Sequence, residues 1–263
     1  MNRITSTFET LKSKGQKALI GYLTAGDPDL ETSERDLRTA IANGVDILEL
    51  GVPFSDSTAD GPTIQAAGQR ALRSGATLKK VLAIAKHLRA DCATPIILFS
   101  YANPLFSYGY EKLCADAAAS GIDGLLVVDL PFEESGELRE HMQRHRLLLI
   151  QLIAPTTSLQ RAEKILAQAD GFVYYILVKG VTGARAQLDS TVGAHVAELR
   201  QRVNLPIAVG FGISNGQQAR EAAAYADAIV VGSALIQAAR AGTLAALVHE
   251  LAAAVHGRPA PQA

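Results

Sequence analysis

Short, continuously apolar runs alternate with longer amphipathic stretches along the chain. The runs are KALIGYLTAG (17–26), VDILELG (45–51), PIILFSY (95–101), GLLVVDL (124–130), LLLIQLI (147–153), GFVYYIL (171–177), PIAVGF (206–211) and AIVVGS (228–233). Apolar residues at consecutive positions, rather than at every second one, predict parallel strands covered on both faces. Between them, LETSERDLRTAIANG (30–44), EKLCADAAASG (111–121), ESGELREHMQRH (134–145), SLQRAEKILAQA (158–169), TVGAHVAELRQRV (191–203) and NGQQAREAAAYA (215–226) carry the helical period. Asn43-Gly44 and Ser120-Gly121 read as helix ends, and Ser158 and Ser214 as N-caps.

Eight β–α units fit a closed (β/α)8 TIM barrel better than the alternative, a doubly wound open sheet. The latter more often carries an early GxGxxG loop, which is absent here. Ile4, Phe8 and Leu11 predict an additional N-terminal helix closing the bottom of the barrel. No linker or composition shift marks a second domain, so residues 1–263 read as a single domain with a frayed tail over about 256–263.

Composition narrows the class. The chain is 48% hydrophobic and 19% charged, enough apolar material for a large core and a poor fit to disorder. Twenty-five basic and 26 acidic residues argue against a nucleic-acid platform. Cys92 and Cys114 form no CxxC or Cys/His cluster and read as reduced thiols, with no zinc site. The polar start lacks the apolar segment of a signal peptide, and no run approaches the about 20 residues of a membrane span. The expectation is a soluble, cytoplasmic protein.

In a barrel of this kind, chemistry sits in the loops that follow the strands. Glu49 stands near the end of the second strand between Leu48 and Leu50, where burial should push its pKa upward. By itself it reads equally as a partnered structural acid. The following loop (51–67) adds Asp56 and Asp60. Asp60-Gly61-Pro62 favours a helix-capping aspartate, yet two carboxylates in one pocket would suit paired proton transfers. GFGIS (210–214) and GSALI (232–236), after strands seven and eight, place glycines and a serine before helical segments, where backbone N–H groups form an anion site. GVTGARAQ (180–187) suits a mobile lid. Tyr22, Phe99, Leu126 and Tyr174 fit a flat apolar ligand or plain core equally well. The residues therefore point to a barrel enzyme using carboxylate acid–base chemistry on a small phosphorylated metabolite.

The ordered set GYLTAGDP (21–28), LELGVPFSDSTADGP (48–62), YANPLFSYG (101–109), VVDLPFEES (127–135), GVTGAR (180–185), VGFGIS (209–214) and VVGSAL (230–235) resembles the tryptophan synthase α subunit family, in order and spacing across 19–235. The resemblance implies a lyase that cleaves indole-3-glycerol phosphate by a retro-aldol reaction into indole and glyceraldehyde 3-phosphate. It implies Glu49 and Asp60 as the catalytic carboxylates, and phosphate contacts at Gly183, Phe211, Gly212, Gly232 and Ser233. An indole pocket and lid follow at Tyr22, Phe99, Leu126, Tyr174 and Thr182. No metal or organic cofactor is implied. A β subunit is, in an α2β2 heterotetramer, with Pro53, Asp56, Asn103 and Pro131 on the interface.

The chain also departs from the family. Ser57 and Thr58 stand where proline and an apolar residue are usual, which frees φ at 57 and predicts a looser loop with altered partner coupling. Leu177-Val178-Lys179 replace a serine and small polar residues before the lid; Lys179 reads as a solvated residue ahead of an added charge. Ser57, Thr58 and Lys179 motivate one alternative, a free-standing lyase that releases indole; a reading of another class, a catalytically silent phosphate-binding barrel, is opposed by the intact Glu49 and Asp60. Tryptophan is absent. In a chain that serves tryptophan synthesis, this would permit production when the amino acid is scarce.

Overall fold

The computed structural model describes residues 2–176, 190–210 and 212–257. In chain order the elements are α1 (Arg3–Ser13), β1 (Ala18–Thr24), α2 (Leu30–Ala42), β2 (Ile47–Gly51), α3 (Pro62–Arg73), α4 (Leu78–Arg89), β3 (Ile96–Ser100), α5 (Ala102–Tyr108), α6 (Tyr110–Ala119), β4 (Gly124–Val127) and α7 (Gly136–Arg144). They continue as β5 (Leu148–Leu149), β6 (Gln151–Ile153), α8 (Leu159–Leu166), β7 (Val173–Ile176), α9 (Ser190–Arg200), β8 (Ile207–Gly210), α10 (Gly216–Ala223), β9 (Ala228–Val231), α11 (Ser233–Ala241) and α12 (Leu244–Val255).

All strand pairs are parallel, in the order β5-β4-β3-β2-β1-β9-β8-β7-β6. β5 and β6 are halves of the one apolar run expected at 147–153, divided at Ile150. The first half pairs with β4 and the second with β7, while the Ile150 N–H donates to the Leu125 carbonyl at 2.9 Å. The ring therefore closes through a single interrupted stave, giving a (β/α)8 barrel. Stagger around a closed barrel offsets a strand's two neighbours, so one run serves each over a different stretch.

The continuous apolar runs follow from the two packing surfaces. Ile20, Ile47, Ile97, Leu126, Ala208 and Val230 fill the barrel, whereas Leu19, Leu48, Leu98, Leu125, Val209 and Val231 pack outward under the helices. α1 closes the bottom as expected, its buried Ile4, Phe8 and Leu11 joining the interior, with the Phe8 and Phe172 rings 5.6 Å apart. Asn2 caps α1 through its own side chain and donates to the Asp123 carbonyl at 2.9 Å, so the plug is tied to the barrel wall.

Several local readings change. Ser158 caps α8, but Asn215 rather than Ser214 caps α10, by accepting from the Gln218 N–H. Ser214 instead donates to the Gln218 side chain from both N–H and hydroxyl. α4, α5 and α12 lie outside the segments read as helical. In the tail, His256 is the C-cap of α12 and pairs with Asp46 at 2.9 Å, and 258–263 lie outside the described residues. Among the described residues no helix is long and apolar enough to cross a membrane.

Candidate active site

Side chains alternate along a strand, so Glu49 shares the inward parity of Ile47. It sits in register between Tyr22 on β1 and Ile97 on β3, is fully buried, and has no hydrogen-bond partner on either carboxylate oxygen among the described residues. Buried carboxylates are normally paired or hydrogen-bonded. Here desolvation acts unopposed and pushes the pKa up from 4.5 to about 8. The reading of Glu49 as a partnered structural acid fails on this observation.

Three aromatic residues, Tyr22, Phe99 and Tyr174, share its part of the barrel. Tyr22 meets Phe99 edge-on, with ring centroids 4.9 Å apart, and its hydroxyl lies 3.3 Å from the Thr24 hydroxyl. The Tyr22 ring can lie there because residue 51 is glycine: a Cβ at that position would stand 2.3 Å from the Tyr22 hydroxyl. Gly210 makes similar room for Tyr174, whose hydroxyl is 3.1 Å from where a Cβ would be. Burial holds both phenols neutral, with a further push from the field of Asp60 and Glu49. The four groups thus share one electrostatic site. Leu126 is fully buried in the interior packing and pairs in register with Phe99.

Asp60 reaches the same site from the β2–α3 loop. It does not cap α3: the N-cap is Gly61, with no side-chain hydrogen bond, followed by Pro62 in the first turn. The half-buried Asp60 carboxyl is raised by desolvation to about 6, against an opposing hydrogen bond from Tyr101. With pKa values of about 8 and about 6, Glu49 holds its proton to higher pH than Asp60 does, so between those values the two carboxyl groups differ in state.

A protein-family model described as tryptophan synthase alpha chain matches residues 8–256. The chain belongs to that family. The tryptophan synthase alpha chain of Geobacter sulfurreducens is 47% identical over 252 residues, 96% of each chain. The solved tryptophan synthase alpha chain of Legionella pneumophila subsp. pneumophila is 36% identical, with a TM-score of 0.89 over 97% of both chains. A solved chain from Aquifex aeolicus VF5 reaches 0.91 at 40% identity, covering 98% of this chain and all of that one.

Other residues of this alpha chain meet their expected settings unevenly. Gly232 is the N-cap of α11 and has no side-chain cap, so the first N–H groups from Ser233 onward are unclaimed by a capping side chain, as an anion cradle requires. Gly212 is exposed with φ +66°, a conformation that glycine adopts without strain. The seventh loop does not run straight into a helix, because Asn215 caps α10 first. Phe211, Thr182, Gly183 and Lys179 lie outside the described residues.

Of the residues expected at a partner interface, Asp56, Asn103 and Pro131 are exposed, but Pro53 is buried and offers no face to a partner. The loop carrying Ser57 and Thr58 is held rather than loose. The Ser57 carbonyl accepts from the Asp60 N–H and from Gln65 Nε2, at 3.2 and 3.1 Å, and Gln65 also donates to the Asp60 carbonyl at 3.0 Å. Sequence reasoning gave no role to Thr24, Gly51 or Tyr101, and read Gly210 only as part of the anion loop. Each stands at or just past the C-terminal end of a strand, the position that the barrel rule marks for function.

Proposed function

We propose that this alpha chain is a carbon–carbon lyase that cleaves indole-3-glycerol phosphate to indole and glyceraldehyde 3-phosphate in tryptophan biosynthesis, and that Glu49 and Asp60 carry the proton chemistry. The observation that supports this most is Glu49, fully buried with no hydrogen-bond partner among the described residues, where desolvation pushes its pKa up to about 8. A carboxylic acid in that state can deliver a proton to C3 of the indole ring. The ring becomes cationic, and the ionised Asp60 accepts a hydrogen bond from the ring N–H and stabilises the charge.

Glu49, now a carboxylate, then takes the proton of the adjacent side-chain hydroxyl. The oxygen's electrons form the aldehyde carbonyl as the C–C bond breaks, and the bonding pair returns to the ring to restore indole. Glu49 gives one proton and regains one, so the cycle closes with no external acid or base. Tyr22, Phe99 and Tyr174 sandwich the flat ring, with Leu126 beneath it. Gly212, Gly232 and Ser233, joined by Phe211 and Gly183, hold the phosphate, and Thr182 belongs to the loop that closes over it.

Asp56, Asn103 and Pro131 form the surface toward a β subunit that receives the indole. The assembly is an α2β2 heterotetramer in the cytoplasm. The buttressed 57–65 loop supports a chain that keeps this partner, and no observation favours the free-standing alternative. The deciding experiment is indole release from indole-3-glycerol phosphate, assayed with and without a β subunit. Slow turnover that rises strongly on adding β is expected. Unchanged turnover would remove the partner from this reading, and no turnover in either arm would remove the reaction.

A further inference from the structure

Tyr101 directly follows β3 and is 3% exposed, yet it has no part in the chemistry so far. Its backbone is secured on both sides. The Ser100 hydroxyl donates to the Tyr101 carbonyl at 3.0 Å, and Asp129 accepts from the Ala102 N–H at 2.7 Å, doing the capping of α5 that Tyr101, its N-cap, does not do. Its ring packs against Phe54, with centroids 5.3 Å apart. That leaves the hydroxyl facing the β2–α3 loop. It accepts from the Ala59 N–H at 3.0 Å and interacts with the carboxylate of Asp60, the next residue.

A phenol has one proton to donate and lone pairs to accept with, so the hydroxyl can accept from Ala59 and give its one proton to Asp60 without conflict. We infer that Tyr101 is the positioning residue for Asp60: its hydroxyl pins the loop backbone at Ala59 while donating to the Asp60 carboxylate, and so aims that carboxylate into the site before substrate binds.

The chain makes such a clamp necessary. Ser57 and Thr58 leave the middle of the loop without a proline, and free φ angles there widen the states that it samples unless tertiary contacts select one. Gln65 restrains the loop from the α3 side, and Tyr101 is the restraint from the barrel side. The groups facing Asp60 are Tyr22 from β1, Tyr174 from β7 and Tyr101 itself, with Asp129 acting on Tyr101 from beyond. Of the three phenols, Tyr101 is the one that opposes the rise in the Asp60 pKa by hydrogen bonding.

The inference rests on Asp60 working in the lyase reaction, so the test separates the two. Tyr101→Phe keeps the ring against Phe54 and removes only the hydroxyl. It should lower kcat about tenfold with KM nearly unchanged, the worth of one hydrogen bond to a charged group. It should also move the acid limb of kcat/KM upward while the basic limb stays. Carbon-13 NMR titration of the Asp60 carboxyl in the free protein should show the same upward shift, independently of catalysis. Phe54→Leu, which loosens the backing of the ring but keeps the hydroxyl, should move both readouts in the same direction by less.

In Asp60→Asn, adding Tyr101→Phe should cost no further activity. An unmoved Asp60 titration in both Tyr101→Phe and Phe54→Leu would overturn the inference, as would losses that add fully in the double variant. Full activity of Asp60→Asn would instead overturn the role given to Asp60, whatever Tyr101 does.

Discussion

Two buried carboxylates at opposite ends of the barrel have opposite surroundings. Asp123, at the bottom, is 3% exposed and saturated: Arg3 reaches it at 2.8 Å, Arg89 at 3.0 Å and the Ile96 N–H at 2.9 Å. Glu49, near the mouth, is equally buried and has no hydrogen-bond partner among the described residues. The fold invests its polar complementarity at the bottom, where α1 and the strand starts must be tied together. At the mouth it leaves an acid uncompensated, and that lack of partners keeps a proton on Glu49 at neutral pH.

Exchanging chemistry for stability at the two sites tests that contrast. Glu49→Gln should lower kcat for indole release about a thousandfold or more, the scale of lost acid–base catalysis, with the fold intact. The pH dependence carries the sign. Because the folded pKa of Glu49 is about 8 against an ordinary 4.5, the folded state binds the extra proton between those values. The wild type should therefore lose stability as pH rises through that window, and Glu49→Gln should lack this component and be the more stable of the two above about pH 8. Urea unfolding at a series of pH values reads this directly. For the wild type, kcat/KM should fall below about pH 6, where Asp60 gains its proton, and above about pH 8, where Glu49 loses its own.

Asp123→Asn should do the reverse. It strips the charge that two arginines share, one of them only 14% exposed, and should cost about 3 kcal/mol of stability, read by urea unfolding, with kcat unchanged at temperatures where the protein stays folded. A large loss of kcat with unchanged stability would erase the distinction between bottom and mouth.

Gly51→Ala should be milder. Its Cβ would collide with the Tyr22 hydroxyl at 2.3 Å, and overpacking of about 1–3 kcal/mol should appear as a KM raised roughly tenfold as the ring swings out of the pocket. Smallest is Gln65→Leu, which removes two hydrogen bonds from an exposed loop and should lower kcat/KM about threefold.

Much of this arrangement could be read from residue order. The runs of consecutive apolar residues announce strands buried on both faces, and their number announces the barrel. Ile4, Phe8 and Leu11 predict the plug, because helical spacing puts them on one face. Glu49 is conspicuous as a carboxylate within such a run. What could not be read are choices between equivalent local options. Asp60 before Gly61-Pro62 has the composition of a cap, yet the cap is Gly61, because Asp60 is drawn toward Tyr101 some forty positions away in sequence. Ser214 and Asn215 are both capping types, and Asn215 is the one that accepts from the Gln218 N–H. The break at Ile150 comes from barrel stagger, which no single run of residues encodes.

Residue order was sufficient for whatever depends on periodicity and on neighbours along the chain: strands, most helices, the plug, and the loops in which chemistry had to lie. It was also sufficient to point to the family. The protonation states of the two carboxyl groups depend on what surrounds each side chain in space. Burial with no partner among the described residues raises Glu49 to about 8, and half-burial beside Tyr101 leaves Asp60 at about 6. Desolvation and hydrogen bonding act through distance rather than through sequence separation, so the acid and the anion of this site became distinguishable only once the barrel had closed.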